Sequence, residues 1–233
     1  MAETRIAATD GKGEFTAYVA RPKQTPAGVV VMIQEIFGVN ATMRQLSDWV
    51  AEMRFIAICP DLFWRQEPGV QLDPDAGQQQ WDRAIALMNG MDQDKAVEDL
   101  KATVAHARKM EGANGKVATM GFCLGGRLAF MMATRSDTDA NISYYGVGLE
   151  GLLGEAGNLK HPLMLHIAEK DRFVPPEAQA KILAALKGHP QVRVYVYPGV
   201  DHAFARMGGH SWDARAATIA NGRSVELLAA VLG

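Results

Sequence analysis

Apolar runs rich in β-branched residues alternate along this chain with stretches where apolar residues recur every three or four positions. Residues 29–33 are apolar throughout and predict a buried strand. Asn40 can cap a following helix whose Met43, Leu46, Val50 and Met53 share one face. Residues 55–59 predict a second strand, stopped by Pro60, and 72–90 is polar and then helical from the breaker Asp73-Pro74. The stretch from Asp92 to Met110 predicts a stronger helix, with Val97, Leu100, Val104 and Ala107 on one face and Gly112 beyond its end. Residues 117–122 read as a strand and 124–134 as a helix. Further strands are expected at 142–145, 163–168 and 192–197, with helices at 176–186 and from about Ser211 onward.

Strands without polar alternation, separated by helices, imply a parallel sheet covered on both faces. Residues 5–20, turning at Asp10-Gly11, predict an antiparallel hairpin ahead of it. No repeat, low-complexity segment or linker divides the chain, so residues 1–233 read as a single domain. The loop 61–74 is long and polar, and loops of that kind often build sites.

Composition narrows the function classes. The 233 residues are 48% hydrophobic and 21% charged, close to globular averages. Lys and Arg number 24 against 26 Asp and Glu, which argues against a nucleic-acid binder. Two cysteines exclude a disulfide scaffold and a four-thiolate zinc site, and no cluster has zinc spacing, so neither metal nor cofactor is expected. There is no run of the ~20 apolar residues a membrane span needs. The N-terminal segment lacks a secretory h-region, and a cytoplasmic monomer is the expectation.

The most informative segment is Gly121-Phe122-Cys123-Leu124-Gly125-Gly126, where a strand runs straight into a helix. Cys123 occupies the nucleophile position of a G-x-C-x-G elbow, with Cys in place of Ser. The turn is sharp, so positions two before and two after the nucleophile must lack bulk, and Gly121 and Gly125 supply that. A thiol at a helix N-terminus is favoured as thiolate, and the Leu124 N–H can face a developing oxyanion. Most buried cysteines are inert core residues. Cys59, which ends an apolar strand without flanking glycines, is read as one of them.

An elbow nucleophile takes its acid and then its histidine from later strand ends. Asp171 follows the strand 163–168, with Glu169 and Asp201 as alternatives for the acid. His202 directly follows the last strand in a turn-rich loop, with His210 as the weaker alternative.

At this point a family resemblance is plain. Gln34-Glu35-Ile36-Phe37-Gly38-Val39-Asn40, Cys59-Pro60-Asp61-Leu62, the elbow, Tyr144-Tyr145-Gly146-Val147-Gly148-Leu149-Glu150 and His202-Ala203-Phe204-Ala205-Arg206 resemble dienelactone hydrolase over nearly the whole chain. The resemblance implies a minimal α/β-hydrolase fold without a separate lid domain. It implies hydrolysis of a small carboxylate-bearing lactone, dienelactone, to maleylacetate by a Cys123, His202 and Asp171 triad. It also implies that the Ile36 and Leu124 N–H groups form the oxyanion hole, that Glu35 lies beside Cys123 and can hold or accept the thiol proton, and that Arg206 binds the substrate carboxylate.

The chain departs from the family pattern at the pocket. A second carboxylate-binding arginine belongs on the helix after 61–74. Ungapped matching puts Trp81 there, and the nearest arginine, Arg83, falls on another helix face. Ile85 and Met88 stand where the family has aromatic residues, and Ala203 where it has a small hydroxyl. Phe37, Tyr145 and Phe173 complete the expected substrate-binding set with Trp81 and Arg206. A broader small-ester hydrolase of the same fold and a non-catalytic binding protein are the alternative readings.

Overall fold

The computed structural model describes residues 2–233. Strands β1 (Ala2–Ala7) and β2 (Glu14–Ala20) form the expected antiparallel hairpin, with Gly11 at φ 71° in its turn. Strand and helix then follow in the order β3 (Ala27–Ile33), α1 (Ala41–Glu52), β4 (Ile56–Pro60), α2 (Gln78–Gly90), α3 (Gln93–Ala107), β5 (Ala113–Phe122), α4 (Leu124–Arg135), β6 (Ala140–Tyr144), β7 (Leu163–Ala168), α5 (Pro176–Leu186), β8 (Val192–Tyr197) and α6 (Ala214–Leu232). Two short 3-10 helices, Leu149–Gly151 and Leu153–Asn158, connect β6 to β7.

All eight strands share one sheet, in the order β1-β2-β4-β3-β5-β6-β7-β8. From β4 to β8 the pairing is parallel, and β2 closes onto β4 antiparallel. This is the α/β-hydrolase architecture that the sequence pattern and the resemblance imply.

Both faces of the sheet are covered, which explains the unbroken apolar runs. On β3, Val29, Val31 and Ile33 face the side covered by α3 and α4 and share one core with Leu100, Val104 and Leu128, which extends to Ile182 of α5. Val30 and Met32 pack on the other face with Met43, Leu46 and Val50 of α1 and Leu228 and Leu232 of α6. Burying each large side chain of this kind contributes roughly 1.5–3 kcal/mol.

Helix caps follow the sequence signals. Asn40 Oδ1 accepts the Met43 N–H at 3.1 Å, and Asp92 Oδ1 accepts that of Lys95 at 3.1 Å. Several boundaries differ by a few residues, among them the start of β5 at Ala113 and of β6 at Ala140, and three have a local cause. Met53 is the C-cap of α1 and is 37% exposed, so the apolar face ends at Val50. Pro60 is the last residue of β4 rather than its stop, and the N–H it lacks is followed by that of Asp61, which donates to Thr16 O at 2.9 Å. Helix α3 ends at Ala107, because the next N–H groups tighten onto nearer carbonyls, Lys109 onto His106 and Met110 onto Ala107.

Strand β3 lies between β4 and β5, the point where the winding direction reverses. Crevices at the carboxyl ends of strands at such a point are where ligands bind in this class of sheet. The segments after β3, β5, β6, β7 and β8 all emerge along that edge. Among the described residues, no helix is long and apolar enough to cross a membrane.

Candidate active site

Cys123 joins β5 to α4 in a left-handed conformation, φ 56° and ψ −114°, a region a non-glycine residue seldom adopts. Packing forces this turn. A Cβ on Gly121 would overlap the Gly125 carbonyl, one on Gly125 would overlap the carbonyls of Ile33 and Gln34, and one on Gly126 would lie 2.7 Å from Tyr144 O. The first two are the glycines the elbow requires, and Gly126 extends the same constraint. The Cys123 N–H donates to Tyr144 O at 3.0 Å. Contact of Gly125 with Ile33 and Gln34 also lays the start of α4 against the chain leading to Ile36. Leu124 opens α4, so its N–H belongs to the first turn, which has no intrahelical acceptor.

His202 and Asp171 are both buried, and His202 Nδ1 lies 2.8 Å from Asp171 Oδ2. The other carboxylate oxygen of Asp171 accepts the Phe173 N–H at 2.9 Å, so the carboxylate is fixed from both sides. His202 Nε2 is buried and makes no hydrogen bond within ordinary geometric limits. Burial disfavours an imidazolium here. The nearby Cys123, as thiolate, and the Asp171 carboxylate outweigh it and push the His202 pKa from 6.5 up to about 10. Asp171 acts through its bond to Nδ1, whereas Cys123 acts through space, because Nε2 has no hydrogen-bond partner.

Glu35 follows β3 and is buried. Its Oε2 accepts the Arg206 Nε–H at 2.9 Å and lies 2.8 Å from a terminal guanidinium nitrogen as an ion pair. Oε1 is buried without a partner. The carboxylate therefore lies on Arg206 and makes no hydrogen bond to the thiol. Burial would lower the Arg206 pKa, but Glu35 outweighs it and holds the guanidinium charged. Gln34 braces this segment, its Oε1 accepting the Leu62 N–H at 3.1 Å beyond β4.

A cavity of about 270 Å³ opens beside His202. Trp81 and Arg206 border it, as expected, together with Pro74, Asp75, Arg172, Ala203, His210 and Ser211. Trp81 comes from the helix after the long polar loop, its Nε1 donating to Pro74 O at 2.7 Å. The other expected pocket residues sit elsewhere. Phe37 is 1% exposed and lies behind the wall, with its ring 5.3 Å beneath the Arg206 guanidinium and edge-on to Trp81 at 4.9 Å. Tyr145 is 2% exposed and backs His202, ring to ring at 5.0 Å. Burial and the charge of Glu35 raise its pKa far above that of a free phenol, keeping it neutral. Phe173 covers the outer side of His202 at 4.8 Å and is half-exposed. Ile85 points into solvent and Met88 packs on the core, so neither forms the wall. Sequence reasoning did not find Arg172, Asp75 or Ser211, although Arg172 adjoins Asp171. Glu169 and Asp201, the alternatives for the acid, do not reach the imidazole, whose Nδ1 is taken by Asp171. His210 is exposed at the cavity rim. Cys59 is fully buried, and burial drives its thiol pKa up.

A larger groove of about 770 Å³, between residues 18–24 and the end of α1, contains none of these residues. Among the described residues, no three His, Cys, Asp or Glu side chains group to hold a metal ion.

The family model of the dienelactone hydrolase family matches residues 15–232. This chain belongs to that family. A protein of Azospirillum brasilense, provisionally named carboxymethylenebutenolidase, is 54% identical over 100% of both chains. The carboxymethylenebutenolidase of Pseudomonas putida is 40% identical over 92% of this chain and 91% of its own. A crystal structure of a Klebsiella pneumoniae protein, provisionally described as a dienelactone hydrolase, superposes with a TM-score of 0.83 at 25% identity and covers 98% of each chain. The family places this chain among the carboxylic-ester hydrolases.

Proposed function

We propose that this chain hydrolyses dienelactone to maleylacetate through Cys123, His202 and Asp171. The observation that supports this most is the buried Asp171–His202 contact at 2.8 Å, which leaves Nε2 free beside a thiol held at φ 56°. Asp171 fixes the tautomer with the proton on Nδ1, leaving Nε2 to act as base. The sulfur attacks the lactone carbonyl, and the oxyanion is met by the N–H groups of Leu124 and Ile36. The ring C–O bond then breaks, and the enolate leaves and takes up the proton that the thiol lost on attack, becoming the ketone of maleylacetate. The acyl group remains on Cys123 as a thioester. Water, deprotonated at His202 Nε2, attacks the thioester; the C–S bond breaks and the proton on Nε2 passes to the departing sulfur, returning the thiol and the neutral imidazole.

The substrate's carboxylate goes to Arg206, which must exchange Glu35 for it. Glu35, once displaced, can accept the thiol proton. The whole chain acts as one domain, as a cytoplasmic monomer that needs no cofactor. A second reading, a broader small-ester hydrolase, is favoured by Trp81, which gives the cavity an apolar wall where the family has a cation.

Replacing Cys123 by Ala tests the central claim. The elbow accommodates a small side chain, so kcat should fall at least ~10³-fold with the fold intact. Cys59→Ala should keep its turnover and lose on the order of 1 kcal/mol of stability instead. Full turnover by Cys123→Ala would remove the thiol from the mechanism.

A further inference from the structure

The β7–β8 ladder ends at Ala168 and Tyr197, and beyond it two loops leave the sheet side by side. One carries Asp171 and the other His202. Two backbone bonds continue the ladder a short way, Glu169 N–H to Tyr197 O at 3.0 Å and Lys170 N–H to Val200 O at 2.9 Å. After that, the side chains of Glu169 and Asp201 take over. Glu169 Oε2, on the acid's loop, accepts the Gly199 N–H of the histidine's loop at 2.8 Å. Asp201 Oδ1, on the histidine's loop, accepts the Arg172 N–H of the acid's loop at 3.2 Å and also the N–H of His202 itself at 2.6 Å. Asp201 Oδ2 faces the Arg172 guanidinium at 3.8 Å.

We propose that Asp201 and Glu169 are positioning residues, two crossed carboxylates that lock the loop of Asp171 to the loop of His202 and so fix the bond between them. Asp201 is the stronger of the two, because one oxygen ties both loops through the backbones of His202 and of the residue after Asp171. Neither carboxylate touches the imidazole ring, so neither acts on the reaction directly. Both are solvent-accessible, so their hydrogen bonds add little to global stability. Their effect lies in geometry, where a misplacement of about 1 Å can cost as much as 10²-fold in rate.

This inference rests on the proposed triad, and the test separates the two. Asp201→Ala, Asp201→Asn, Glu169→Ala and Asp171→Asn are compared with the wild type, each rate normalised to the folded fraction read from the thermal unfolding transition by circular dichroism. Asp201→Ala should lower kcat about 10–100-fold and change KM less than about threefold. The limb of its pH–rate profile that reports His202 should move to lower pH, because a looser Asp171 supports the imidazolium less. Asp201→Asn keeps an oxygen acceptor without the charge and should recover most of the rate. Glu169→Ala should act in the same direction, more weakly. Wild-type kcat and pH profile in Asp201→Ala, with Asp171→Asn inactive, would overturn the clamp and leave the triad standing. Asp201→Asn no better than Asp201→Ala would assign the effect to charge and overturn it too. A loss that vanishes on normalising to the folded fraction would make Asp201 a folding residue only and overturn the clamp. Full turnover by Asp171→Asn would sink the triad reading and the clamp with it.

Discussion

Glu35 and Arg206 meet as a buried ion pair across a sequence separation of 171 residues, with both Arg206 contacts on one carboxylate oxygen. The pair closes one side of the candidate site, between the segment after β3 and the segment after β8. A carboxylate-bearing substrate that reaches Arg206 has to break it. Charge selectivity is therefore an exchange of one carboxylate for another.

Arg206→Ala should act on stability and on specificity separately. Leaving Glu35 buried without its partner costs about 3–5 kcal/mol, and the double variant Arg206→Ala with Glu35→Gln should recover much of that. Catalysis should show a different pattern. A lost charge-assisted contact in a shielded pocket is worth ~2–3 kcal/mol, so an anionic lactone should lose roughly 30–150-fold in kcat/KM relative to a neutral ester of similar size. Equal losses on both substrates would leave Arg206 a structural role alone.

Much of this site is legible in the sequence, for reasons that differ from residue to residue. Cys123 is readable because the elbow demands glycines at fixed positions and an apolar strand before it. Asp171 and His202 are readable because parallel strands deliver their following residues to one edge. The roles of Glu169 and Asp201 were not, because all three carboxylates lie close to loop ends and only hydrogen-bond direction tells them apart. Phe37 and Tyr145 read as pocket lining because aromatic residues near a site usually contact ligand. Burial at 1% and 2% puts them behind the wall instead, one under Arg206 and one against His202. Sequence spacing fixes the face of a helix but not whether that face meets a cavity, which is why Ile85 turned out to be solvent-exposed.

Trp81 is positioned to set substrate preference. It shares the cavity with Arg206, and its ring is held by the Pro74 carbonyl and by Phe37. Trp81→Arg should raise kcat/KM for carboxylate-bearing lactones relative to neutral esters. It also removes the edge contact with Phe37, worth about 0.5–1.5 kcal/mol, so a small drop in melting temperature should accompany it. A flat substrate ratio, measured on folded protein, would show that this wall does not select charge.

His166 predicts how the fold responds to acid. It is wholly buried, with Nδ1 bonded to the Tyr197 hydroxyl at 2.8 Å and Nε2 to Ser224 Oγ at 2.9 Å. Burial lowers its pKa from 6.5 to about 3. Its folded value lies below its unfolded one, so between about 3 and 6.5 the unfolded chain binds more protons and stability falls with pH. The full loss approaches about 4–5 kcal/mol at 1.36 kcal/mol per pKa unit. Denaturation midpoints followed from neutral to acid pH should decline through this window, and His166→Gln should flatten the decline while lowering stability at neutral pH. An equally steep decline in His166→Gln would place the acid sensitivity elsewhere.

The orphaned Oε1 of Glu35 bears on how the thiol is kept quiet before substrate arrives. A buried carboxylate oxygen without a partner costs about 1–3 kcal/mol or more, so it should take any nearby donor, and the Cys123 S–H is the donor the mechanism supplies. The raised pKa of His202 argues the other way, toward a resting imidazolium–thiolate pair. That raise depends on the thiolate already being present, since the charge on Cys123 is its largest favourable contribution. The expected outcome is that iodoacetamide, which carries no charge for Arg206 to attract, labels Cys123 slowly. Glu35→Gln removes the negative charge and leaves the Arg206 cation unbalanced beside the thiol. Labelling should then speed up while kcat falls, because the proton acceptor is gone. A wild type that labels as fast as Glu35→Gln across the neutral pH range would establish the resting ion pair and reduce Glu35 to a partner for Arg206.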